Sequence, residues 1–273
     1  TSVLTVGISA VAAQSTDPGS EDFDACYTIA TGVDDPNEGR FYLLNRSTGN
    51  ETLIGQTGTL GVIDSMSFQP DTNELFGANQ DRLGTIDLSN GQFTAIGPFG
   101  NADGPEGQIT INDVRAMTFD TTTGALYGAH RRSGNDILVQ INPTTGNVVD
   151  DAFGAGNDYL VIDTPSGLPD FEDMTVDDTG TFYAIAASGT IEARLVTLDI
   201  SDGSTSDVGQ IKRNMEGLTF DDPGALWGTT GDTGGATSGN SFYSIDKTDG
   251  DTSKVAKLTD TDYESLACSR IAS

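Results

Sequence analysis

Met215 to Gly228 reads MEGLTFDDPGALWG: a short alternating apolar run, an Asp-Asp-Pro-Gly turn, and a second apolar run with one aromatic residue. The same pattern returns as IDSMSFQPDTNELFG from Ile63, VRAMTFDTTTGALYG from Val114 and FEDMTVDDTGTFYA from Phe171. A fifth copy is divided between the chain ends, YESLACS at Tyr263 to Ser269 supplying its first half and ACYTIATG at Ala25 to Gly32 its second. Runs of this length and period, separated by Asp, Gly and Pro, read as strand, turn, strand.

Behind each copy comes a second hairpin whose turn opens on Asn or Asp and closes on Gly: NRSTG at Asn45, DLSNG at Asp87, NPTTG at Asn142, DISDG at Asp199 and DKTDG at Asp246. The Asx side chain can accept from the turn amides, and Gly tolerates the positive φ that closes the turn. Each unit therefore holds four strands. Successive copies are offset by 51 residues from Met66 to Met117, 57 to Met174, 44 to Leu218 and 48 to Leu266. That period belongs to propeller blades rather than helical solenoids. An all-β, five-bladed β-propeller follows, closed by a split blade in which the last strand of the chain is the innermost strand of blade one.

Closure predicts a covalent bond. Cys26 and Cys268 are the only two cysteines, and the alignment sets them on neighbouring strands of the split blade. A disulfide there would close a loop worth on the order of 4 to 5 kcal/mol; two reduced core cysteines are the alternative. It would also place the protein in an oxidising compartment.

The repeats leave no linker in the middle of the 273 residues, so residues 25–273 are read as one propeller and residues 1–24 as an appendage. A net charge of -28 excludes nucleic acid and anionic membrane surfaces as partners, and suits a secreted protein in a salt- or cation-rich medium. Thr1 to Gln14, TSVLTVGISAVAAQ, is apolar and uncharged, and Ser15 to Asp24 follows as an acidic connector. β-Branched residues dominate the first stretch and Gly7 interrupts any helical stripe, so it reads as an extra β-strand. Three roles stay open for it: a strand on its own ring, a donor strand that pairs with a second copy through Val3, Leu4, Val6 and Ile8, or the remnant of a targeting signal ending at Val11-Ala12-Ala13. A head-to-tail contact of the second kind does not close on itself and builds a fibre. Burying those four side chains would contribute roughly 6 to 10 kcal/mol before association costs.

Blade one carries two glycosylation sequons, at Asn45 and Asn50. Asn45 is equally explained as the capping residue of its turn. Long connections fall at Pro98 to Asp113, Gly154 to Asp170, Ala187 to Ala193 and Thr229 to Asn240, all expected on one face. Variation concentrated there marks it as the binding face.

The same face carries the one charged constellation. Two positions before the Met or Leu of each inner strand stand Asp64, Arg115, Glu172, Glu216 and Glu264, with Asp173 beside Glu172. Converging carboxylates cannot all stay ionised unaided. Arg115 pairs with some of them, protons neutralise others, or a cation occupies the centre; oxygen donors with no His or Cys favour Ca²⁺.

The phrases DFEDMTVDDTGTFYAI and MEGLTFDDPGALWG resemble the inner strand of secreted bacterial propellers of the esterase-like phytase group, and RFYLLNRSTGNETLIG is similar to the short Tyr-x-Ile-Asp-x-x-Thr-Gly repeats of surface propellers. The resemblance covers about residues 25–269 and implies a propeller with calcium held by Asp64, Glu172, Glu216 and Glu264. Arg115 departs from an all-acid ring.

No nucleophile elbow, phosphate-cradling glycine loop or Cys/His metal spacing occurs. The sole histidine, His130, sits in HRRSGND, a basic spot read as a solvated loop or a dock for acidic surface on a neighbouring copy rather than an anion grip. Trp227 occupies a core position. The sequence thus points to a non-enzymatic, extracellular structural or adhesive protein that partners other copies of itself, without membrane insertion. A carbohydrate-binding propeller that takes glycans on its long-loop face and a calcium-dependent phosphoesterase are the alternatives.

Overall fold

In the computed structural model the described residues are 25–31, 39–58, 62–188, 192–212, 214–221, 224–231 and 240–269. The Thr1 to Asp24 stretch, with Val3, Leu4, Val6 and Ile8, lies outside them.

Five antiparallel four-stranded sheets make the ring. From the axis outward, blade one is Tyr263–Cys268, Ala25–Ala30, Arg40–Asn45 and Glu51–Gln56. Blade two is Ser65–Phe68, Leu75–Asn79, Arg82–Ile86 and Phe93–Pro98. Blade three is Val114–Phe119, Leu126–His130, Ile137–Ile141 and Tyr159–Val161. Blade four is Asp170–Val176, Phe182–Ala187, Arg194–Leu198 and Thr205–Gln210; blade five is Met215–Phe220, Leu226–Thr230, Ser241–Ile245 and Thr252–Lys257. The chain's last strand is innermost in blade one, with Cys26 directly opposite Cys268 and disulfide-bonded to it.

Burial follows distance from the axis. Second strands such as LFGAN are buried throughout, because both faces meet a neighbouring blade, whereas outer strands such as ETLIGQ are half exposed. The apolar core is accordingly split into inter-blade wedges. Tyr27, Ile29 and Phe41 of blade one pack on Ile63, Met66 and Phe68, and Phe76 of blade two meets Phe119 edge-on at 5.2 Å. At the closing wedge Trp227 and Phe242 of blade five pack with Cys26, Tyr42 and Leu266.

Two repeated devices join the blades. In four outer strands the register shifts by one residue, at Ile54, Ile96, Val208 and Val255, and each bulged residue packs against the core shared with the neighbouring blade. Beside three of these bulges a glycine receives the Asx-Gly turn of the next blade so closely that a Cβ would meet its carbonyl oxygen: Gly55 on Asn90 at 1.9 Å, Gly97 on Thr145 at 2.2 Å and Gly209 on Asp249 at 1.5 Å. At the axis, inner strands are joined through side chains. Ser67 Oγ accepts from Phe119 N at 3.1 Å, Thr175 Oγ1 from Phe220 N at 3.2 Å and Thr219 Oγ1 from Cys268 N at 3.2 Å.

Blade three departs from the expected pattern. Directly after its NPTTG turn the chain forms only an Ile141–Val148 bridge, and the fourth strand is delayed to Tyr159–Val161. The Asp158 carboxylate accepts from Asp151 N and Asp103 N, both at 2.7 Å, which holds the intervening loop against the Gly100–Ala102 and Ile109–Ile111 ribbon.

Candidate functional site

The inner strands all begin at the same mouth of the channel, and there each is distorted in the same way. In blade three Val114 faces His130 and Ala116 faces Ala129, which leaves Arg115 as the extra residue of a bulge. Glu216 is likewise extra between Met215 and Gly217, and Glu264 between Tyr263 and Ser265. Blade four fits Glu172 and Asp173 opposite a single residue, Ile185, and in blade two Asp64 N donates to Ala78 O, the residue already opposite Ser65. A bulge turns a side chain out of the sheet's alternation. Here it does so at five equivalent positions around one axis.

The acids do not form one ring. Asp64, 3% exposed, places Oδ1 2.9 Å from Arg115 Nη1, and Asp113 takes the same guanidinium at 2.8 Å. Glu172 is held at 2.7 Å by Arg131, which comes from the end of the second strand of blade three. On the other side Glu216 and Glu264 gather with Asp262, their ligand oxygens within 4.8 Å of one another. Thr31 Oγ1 donates to Asp262 Oδ2 at 2.6 Å. A side chain on residue 231 would collide with the Glu216 carboxylate, the Cβ falling 1.5 Å from Oε2, so Gly231 makes the room for it. The four acids expected around one calcium are thereby divided: Asp64 and Glu172 face arginines, while Glu216 and Glu264 join Asp262. Alignment missed Asp262 and Arg131 because neither occupies the repeated position.

Burial pushes Glu216 and Glu264 well above the usual carboxylate range; Glu264 adds to it at Glu216 and Asp262 at Glu264, with Arg115 opposing in both cases. Burial likewise lifts Asp64 to about 7 against the pull of Arg115. An acid whose folded pKa is raised binds its proton more tightly in the folded chain, so stability falls as pH rises from the ordinary glutamate value toward the folded one. Glu216→Gln is expected to raise the melting midpoint at pH 7.5, by roughly 1 to 2 kcal/mol of stability, and to change it little at pH 4. A midpoint unchanged or lowered at pH 7.5 contradicts this charge conflict.

Below the mouth the channel is plugged. Asp173, fully buried, accepts from Ser65 Oγ and Met174 N through Oδ1, at 2.8 and 2.9 Å, and from Leu218 N through Oδ2 at 2.8 Å, so one carboxyl ties blades two, four and five together. Beyond it a cavity of about 30 Å³ lies at the opposite end of the channel, lined by Met66, Met174 and the hydroxyls of Ser67, Thr118, Thr175 and Thr219.

The HRRSGND segment exposes Ser133 and Gly134 as a loop, but its basic side chains are engaged within the fold. His130 is buried with its ring nitrogen against the Asp113 backbone, Arg131 holds Glu172, and Arg132 Nη1 reaches Glu106 at 2.5 Å. The basic charges are consumed within the fold because the ribbon and inner strand four bring acids to them. Trp227 stacks on Phe242 at 5.2 Å and donates to Asp221 at 2.7 Å, as a core residue does. Asn45 Oδ1 accepts from Thr48 N at 2.9 Å, capping its turn, and Asn50 is exposed one residue before the outer strand.

No family model and no curated protein sequence matches the chain. Solved structures do. A nidogen/laminin complex chain is similar over 89% of this chain and 97% of its own, at 12% identity and a TM-score of 0.52. A putative 6-phosphogluconolactonase from Bacteroides fragilis covers 92% and 99% at 12% identity, TM-score 0.48. A PQQ-bound aldose sugar dehydrogenase from Streptomyces coelicolor covers 89% and 85% at 14% identity, TM-score 0.47. At these identities the likeness is one of fold alone.

Proposed function

We propose that this protein is a non-enzymatic, extracellular structural propeller that self-associates through Thr1 to Gln14, which adds as a β-strand to a second copy. One observation carries the reading: residues 25–269 supply four strands to every blade, so the apolar N-terminal stretch is surplus to the five blades. Val3, Leu4, Val6 and Ile8 gain burial only by leaving water for another surface, and strand addition also satisfies their backbone groups. The disulfide across the closing blade, in a chain where no described helix is long and apolar enough to cross a membrane, is compatible with an extracellular setting. The burial of the one histidine supports a scaffold over a histidine-dependent hydrolase.

Deleting Thr1 to Gln14 tests this. The full chain is expected to give large particles by light scattering and electron microscopy, and the truncated chain to remain monomeric with an unchanged melting midpoint. Assemblies of unchanged size after the deletion would falsify the reading.

A second reading, a calcium-dependent phosphoesterase, is favoured by the Glu216, Asp262 and Glu264 oxygens within 4.8 Å. These three would hold the ion, and Asp64 and Glu172, engaged by arginines, would stand outside its shell. Phosphoester turnover that a chelator abolishes and Glu264→Gln removes supports it; no turnover with calcium present dismisses it.

A further inference from the structure

Edge strands invite pairing unless something blunts them, and the usual devices are short length, proline, charge and bulges. The five outer strands differ in how many they use. Blade two ends on Pro98, which has no N–H to offer. Blade three's outer strand has only three residues, and the chain just beyond it is bridged onward from Asp163 to Ser204 of blade four. Blade four exposes Asp207, paired with Arg194, and blade five exposes Lys254 and Lys257.

Blade one is blunted least, by the Ile54 bulge that it shares with three other outer strands. Its outer strand Glu51–Gln56 is six residues long, and its single charge is turned away, with Glu51 accepting from Thr259 N at 2.6 Å and from Tyr263 OH at 2.5 Å. What remains exposed is Thr52, Leu53 and Gln56. Leu53 is 56% exposed, and no other large apolar side chain among the described residues is exposed. On the opposite face of the strand a hollow of 330 Å³ is lined by Leu43, Thr52 and Ala25. Residues 1–24 lead directly into Ala25.

From this we infer that the outer strand of blade one, centred on Leu53, is the acceptor edge that receives the Thr1 to Gln14 strand of a second copy. The inference rests on the self-association reading and names its missing half. An added strand places alternate side chains on the two faces of the sheet. Leu4, Val6 and Ile8, two apart, fall on one face beside Leu53, while Val3 falls on the other toward the Leu43 and Thr52 hollow. Ala95, exposed on the outer strand of blade two, is the matching position where Pro98 blunts the edge. Each copy then carries one donor and one acceptor, which propagates head to tail. Asn50 adjoins the acceptor, so a glycan there would close it.

Complementary variants test the pairing. Leu53→Lys in the full chain keeps the donor and spoils the acceptor; the chain lacking Thr1 to Gln14 keeps the acceptor only. Each alone is expected to be monomeric with a wild-type melting midpoint, Leu53→Lys lowering the association constant at least tenfold, and their mixture to form one-to-one dimers and nothing longer. Ala95→Lys is expected to assemble as the parent does. Full-size assemblies from Leu53→Lys, or from Leu53→Glu as a second substitution, overturn the acceptor while leaving self-association standing. Full-size assemblies from the truncated chain overturn both. A mixture that stays monomeric while each half-variant is monomeric overturns pairing between copies and assigns the strand to its own ring.

Discussion

Replacing both cysteines, Cys26→Ser with Cys268→Ser, is expected to lower the melting midpoint by roughly 10 to 20 °C, about 5 kcal/mol of stability. The bonded residues are 242 apart in sequence, so the link removes from the unfolded chain nearly all the freedom of its two ends. In the folded ring it crosses the one place where neighbouring strands of a blade are not continuous in the chain. Without it, Tyr263–Cys268 is held to Ala25–Ala30 by the ladder and by Thr28 Oγ1 donating to Ser265 O at 2.7 Å. The same loss should follow reduction in the unfolded state and refolding under reducing conditions. Calorimetry of the double variant checks it, and a midpoint within 2 °C of the parent would show that the two ends are held together by other means.

Asp173→Ala is expected to cost about 3 to 5 kcal/mol, because Leu218 N, Met174 N and Ser65 Oγ lose their acceptor in a place water does not reach. Burial pushes the Asp173 carboxyl well up, with the surrounding N–H donors opposing. Asp173→Asn separates shape from hydrogen bonding. The amide matches the carboxyl in size but must point either its NH₂ group at Leu218 N–H or its donors at Met174 N–H, so it is expected to lose nearly as much as Ala. Denaturant titration of both variants measures this; an Asn variant as stable as the parent contradicts the role of Asp173 as the acceptor that locks three blades at the axis.

Much of the architecture was legible in the residues because each blade writes its inner hairpin in the same terms. The aligned Met and Leu positions locate all five inner strands, and the division of one copy between the chain ends locates the closure and the disulfide. The mouth was legible only in outline. All five aligned positions, Asp64 through Glu264, do stand at the channel entrance, yet their pairing depends on residues outside the repeat. Arg131 arrives from the end of a second strand, and Asp262 precedes an inner strand with φ of 63°. The bulges that aim these side chains insert one residue without disturbing the apolar spacing on either side. Alternation therefore does not reveal them. Blade three's outer strand escaped for a different reason: a buried Asp158 holds its loop through contacts with the distant ribbon.

The acid mouth and the acceptor edge both require a wheel of five blades closed by the chain's last strand. An experimental density map of residues 25–269 tests that most directly. It is predicted to show five four-stranded sheets with Tyr263–Cys268 innermost beside Ala25–Ala30 and continuous density between Cys26 and Cys268; a sixth four-stranded blade, or the two cysteines in different blades, would contradict it.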